Sequence, residues 1–190
     1  MVSGLTAKIK KILELLPPRD RLFLRLERGK SVEVGRKAVA QLTAKEAGVG
    51  EDRLLFVQSA LYIYFDCFKE AHQIAQDHEG LFGNWLHAIL HRREPDAGNS
   101  KYWYARIKIP SKVSQGIAQE ALKVLGAHPT KDLEAFQKKL AKEGEWVSEA
   151  FVDLCEKVQS GKPDSSDYQA LAQIQEIEWF NLLKLILGKT

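Results

Sequence analysis

Cysteine is nearly absent. Cys67 and Cys155 are the only two, far apart and outside any metal-ligand spacing. That excludes a disulfide framework and a thiolate zinc site. It fits small apolar core thiols in a reducing compartment. Strand-like alternation of any convincing length is missing, which excludes a β-rich fold. No apolar run approaches the length needed to cross a bilayer. The segment Met1 to Leu16 carries Lys8, Lys10 and Lys11 among its apolar residues and has no small-residue cleavage site, so it does not read as a secretory signal. A cytoplasmic location is expected. Gly-x-Ser-x-Gly elbows, phosphate-binding loops and dinucleotide glycine patterns are also missing. Neither cysteine has a clear histidine partner in the sequence, so nucleophilic catalysis has little support.

Charge of one sign is scarce as well. The net charge is +3, too small to argue for nucleic acid. Its distribution is uneven: residues 1–37 hold ten basic and four acidic side chains. Arg21, Arg25 and Arg28 fall on one helical stripe that could hold phosphates. Leu22, Phe23 and Leu26 supply an apolar face beside it, and no base-stacking aromatics interleave with the charges. A solvated face is the preferred reading, and nucleic acid is not an expected partner.

What remains is an ordinary globular composition, 45% hydrophobic and 28% charged over 190 residues. The pattern predicts one all-helical domain: basic N-terminal helices over 1–50, hairpins over 51–109 and a helical scaffold over 110–190. Helices are expected at 5–16, 19–28, 36–47, from Asp52 to about Phe65, on to about Asp77, then at 81–93 and 98–107. The scaffold helices are expected at 112–125, 131–143 (capped by Thr130), 146–159 and 166–187 (capped by Ser165 or Ser166). The last is apolar on nearly every side. It is either buried under the others or an oligomer interface, and burial is the preferred reading.

Chemistry concentrates between His72 and Arg106. At about 100° per residue, His87 and His91 fall opposite the apolar arc of the 81–93 helix, one turn apart. They face solvent or a cleft lined by a neighbouring helix, and His72 on the preceding helix could reach the same place. Arg92 and Arg93 fall on the apolar side, so they must snorkel or the helix must already be ending. Asn99, Tyr102, Trp103 and Arg106 share a face of the next helix. Asp96 or Asn99 is placed to cap it.

Three readings fit these residues. One is a pocket for a small polar or anionic ligand, lined by His72, His87, His91, Arg92, Asn99, Tyr102 and Arg106, with Trp103 as an apolar wall. Another is a metal site built on His87 and His91, with His72 or a carboxylate such as Glu94 as third ligand; no cofactor beyond this is implied. The last is structural: ion pairs among Arg93, Glu94 and Asp96, a helix cap, and solvated histidines.

The stretch Ala60 to Ala71 resembles the helix–turn–helix of tetratricopeptide-like repeats, and Leu90 to Tyr104 has a similar rhythm thirty residues on. The run His87-x-x-x-His91-Arg92-x-Glu94-x-Asp96-x-x-Asn99-x-x-Tyr102-Trp103 resembles the signature of a family of small helical proteins with no established activity. The likeness extends back through Glu70-Ala71-His72. That family is expected to carry Gly-His-Pro soon after the Tyr-Trp pair. Here Lys108-Ile109-Pro110 keeps only the proline.

The expectation is therefore an all-α array of antiparallel helical hairpins, tetratricopeptide-like in the middle. Its leading function is binding of a small polar or anionic ligand. The alternatives are a protein-interaction module and a histidine-based metal or acid–base enzyme.

Overall fold

The computed structural model describes residues 4–16, 32–158, 161–163 and 165–189. Among these the chain is all-α, with no strand. The helices are α1 (Ala7–Leu13), α2 (Val32–Ala40), α3 (Ala44–Ala47), α4 (Glu51–Tyr64), α5 (Phe68–Asp77), α6 (Leu81–Arg93), α7 (Ala97–Tyr104), α8 (Ser111–Ala127), α9 (Lys131–Glu143), α10 (Ser148–Val158) and α11 (Ser166–Ile186). The expected helix at 19–28, with its arginine stripe, lies outside the described residues. None of the described helices is long and apolar enough to cross a membrane.

Caps set most boundaries. The Thr130 hydroxyl accepts from Leu133 N at 3.4 Å and opens α9, and Ser165 does the same for α11 through Tyr168 N at 3.3 Å. The expected 36–47 helix is instead two helices. Thr43 and Glu46 form a reciprocal capping box that starts α3, and this local alternative breaks the chain after α2.

Helices α4 to α7 each pack on the next, and α11 lies against α4, α6 and α8. α11 is buried on most of its surface, and the Trp179 indole donates to the Ala60 carbonyl at 2.8 Å. The turn between α4 and α5 places Asp66 at φ 55°, a left-handed conformation that aspartate tolerates. Arg93 fixes this turn. Its guanidinium donates to Ile63 O at 2.6 Å and to Asp66 Oδ1 at 2.5 Å. It is buried and does not snorkel.

Arg92 also departs from expectation. It is 1% exposed and lies in the core. It forms an ion pair with Glu178 of α11 at 2.6 Å, donates to Gln175 Oε1 at 3.1 Å and lies 4.7 Å from the Phe151 ring centroid. The other Glu178 oxygen accepts from Trp85 Nε1 at 2.9 Å, Trp146 Nε1 at 3.0 Å and Tyr104 OH at 2.7 Å. One carboxylate thus ties α6, α7, α11 and the residue preceding α10 by two to one point.

Helices α5 and α6 meet at Gly83. A Cβ there would lie 1.7 Å from the His78 carbonyl oxygen, a backbone atom that cannot swing aside. Glycine is needed for the close approach rather than for its dihedral freedom. Gly83→Ala is expected to cost about 2–3 kcal/mol by forcing the two helices apart. Urea unfolding of the variant checks this; a loss under about 0.5 kcal/mol would mean the helices reseat freely.

Candidate metal centre

That close approach sets His72 of α5 against His87 of α6. Their Nε2 atoms are 3.0 Å apart. His91, one turn along α6, completes the group, and one nitrogen from each of the three rings lies within 4.8 Å of the others. The rings of His87 and His91 are stacked, with centroids 4.9 Å apart, and His72 meets both edge-on. Phe68 stacks on His72 from its own helix.

The α6 histidines do not face solvent. Every residue of α6 from Gly83 to Arg93 is buried, so its polar side is as enclosed as its apolar arc. His87 is 2% exposed and His91 6%, while His72 is half-buried. Trp103 of α7 closes the site, stacked on His87 at 4.1 Å and 17°. Two polar groups reach His91: Glu94 Oε2 lies 3.2 Å from its Nδ1, and the Asn99 amide nitrogen lies 3.1 Å from its Nε2. Asp96 caps α7 through Asn99 N at 3.1 Å, which fixes where Asn99 starts.

Burial disfavours the charged form of both enclosed rings. Burial, with His91 and His72 adjacent, pushes the His87 imidazole down to about 4. Burial also lowers His91, against the opposing pull of Glu94. Neutral imidazole is the form that offers a lone pair to a metal. Zinc–nitrogen bonds of about 2.0–2.1 Å in tetrahedral geometry separate ligand nitrogens by about 3.3 Å, close to the His72–His87 spacing. The thiols do not compete: burial pushes both Cys67 and Cys155 up to about 12.

The structure therefore brings His72, His87, His91 and Asn99 together and sets the other three candidates apart, Arg92 in the core with Glu178 and Tyr102 and Arg106 beyond α7's inner face. Tyr102 is exposed. Arg106 follows α7 instead of lying on it, donates to Tyr102 O at 2.9 Å and stacks its guanidinium 3.3 Å from the Tyr102 ring centroid. Glu178 was missed as the partner of Arg92. Its signal was present: an acidic residue inside the apolar sequence Ile177-Glu178-Trp179 demands a buried counter-charge. Compared with family models, curated proteins and solved structures, the chain finds no match.

Proposed function

We propose that this protein binds a divalent transition-metal ion through His72, His87 and His91. The observation that carries the reading is the convergence of three imidazoles, two of them almost fully buried and neutral, from two helices held in close approach. Imidazole donors suit zinc, copper, nickel and iron rather than magnesium or calcium. Glu94 on His91 Nδ1 supplies the carboxylate that commonly orients a metal-bound histidine. Three protein ligands leave a coordination position for a small polar or anionic molecule, so the ligand expected from the sequence becomes a metal-bound one. A groove built on Arg92 and Arg106 is less favoured, since both guanidinium groups are engaged elsewhere.

Tag-free protein, stripped with chelator and titrated with zinc by calorimetry, is expected to take up one ion per chain. A zinc excess of 100 Kd should raise the unfolding free energy by about 2.7 kcal/mol. His72→Ala, at the half-buried position, should abolish uptake while preserving the helical circular dichroism. A protein that takes up none of zinc, cobalt, nickel or copper at 100-fold molar excess overturns the reading.

A further inference from the structure

Two buried polar atoms beside the centre make no hydrogen bond. One is Nδ1 of His87 and the other is Oδ1 of Asn84. Asn84 is 6% exposed and precedes His87 by three residues on α6, so the two side chains are neighbours on one helix face. The atoms are complementary. An amide oxygen only accepts, and an imidazole Nδ1 donates when it carries the ring proton. The indole Nε1 of Trp103 is also buried without a partner, but it can only donate.

The 3.0 Å contact between the Nε2 atoms of His72 and His87 adds a constraint. In the metal-free protein one of them must carry a proton and the other accept it. With metal bound, both must present lone pairs. A partner on His87 Nδ1 selects between these states, because the hydrogen bond at one ring nitrogen sets the role of the other.

We infer that Asn84 is the positioning residue of His87, accepting its Nδ1–H through one bridging water and thereby aiming the Nε2 lone pair into the three-histidine centre. The inference rests on the metal reading for its purpose but not for its test. His87 would then be held from behind by Asn84 as His91 is by Glu94, one through a neutral amide and the other through a carboxylate. His72, arriving from α5, donates its Nε2–H to His87 in the metal-free protein, and metal binding would require His72 to change tautomer, with the ring proton moved to its Nδ1.

Long-range proton–nitrogen correlation spectra of chelator-stripped protein at pH 7.5 read the tautomer of His87 without any metal. Wild type is expected to show the Nδ1–H form. Asn84→Leu, which keeps the volume and removes the acceptor, should shift His87 towards Nε2–H and weaken zinc binding about 10- to 100-fold. Asn84→Asp restores an acceptor and should recover both the tautomer and the affinity, which a purely structural role for Asn84 would not predict. Wild type found as Nε2–H overturns the inference even if Asn84→Leu fails to fold. So does Asn84→Leu with unchanged tautomer and affinity. Wild type that shows Nδ1–H but takes up no metal supports Asn84 as the partner of His87 and overturns the metal reading alone.

Discussion

Glu178→Ala is expected to cost about 3–5 kcal/mol of unfolding free energy, the largest loss of any single substitution considered. Domains of this kind are held by about 5–15 kcal/mol in total, so the variant should be partly unfolded at 37 °C. The reason is what it leaves behind. The Arg92 guanidinium, 1% exposed, would lose its Glu178 ion pair, and two indole N–H groups and a tyrosine hydroxyl would lose their acceptor together. Glu178→Gln keeps an oxygen for the indoles but replaces the oxygen that faces Arg92 with an NH2 donor, so its loss should be smaller than that of alanine but still clear. Arg92→Met fails in the opposite sense, by stranding a buried carboxylate. Combining Arg92→Met with Glu178→Gln should recover part of that loss, because no net charge then remains buried. Urea unfolding of the four variants measures all of this. Glu178→Ala within about 1 kcal/mol of wild type would show that the core tolerates an unpaired guanidinium.

The same network shows how far the sequence could be read. Helix boundaries were legible because their causes are local: Thr130 and Ser165 as caps, Gly80 and Gly144 where a helix must begin or stop. The pairing of His87 with His91 was legible because helical periodicity is local too. Arg92 was not. A helical wheel places it on the apolar side, but its partner on α11 lies far along the chain, and an arginine on an apolar arc reads equally as snorkelling. The face expected to hold Asn99, Tyr102, Trp103 and Arg106 together was a similar case, since periodicity alone does not say which of these residues packing turns towards the histidines. Packing on His87 selected Trp103 and left Tyr102 to stack with Arg106. The break of 36–47 at Thr43 was local and readable, through a capping box that the apolar pattern on either side obscured.

Between pH 7 and pH 5 the chelator-stripped protein should lose about 2 kcal/mol of stability through His87 alone. The imidazole titrates near 6.5 in the unfolded chain and at about 4 in the folded one. Above pH 6.5 neither state holds the proton, and the neutral ring carries no penalty. As pH falls from 6.5 towards 4, the unfolded chain takes up a proton that the folded protein refuses, so unfolding is favoured progressively. The full difference, about 3 kcal/mol, is reached only below pH 4. The groups facing His87 are His72 from α5, His91 on its own helix and the uncharged Trp103 from α7. Lowering of His91 adds to the loss in the same direction. His87→Gln should flatten the dependence over this range, and an unchanged slope would place its origin elsewhere. The same depression bears on metal binding. An ordinary histidine ligand loses its metal as protons compete below about pH 6.5. At His87 the folded protein has already excluded the proton, so this ligand should stay available to zinc down to about pH 5. The burial that disfavours the charged ring in acid would also leave its lone pair free for the proposed ion.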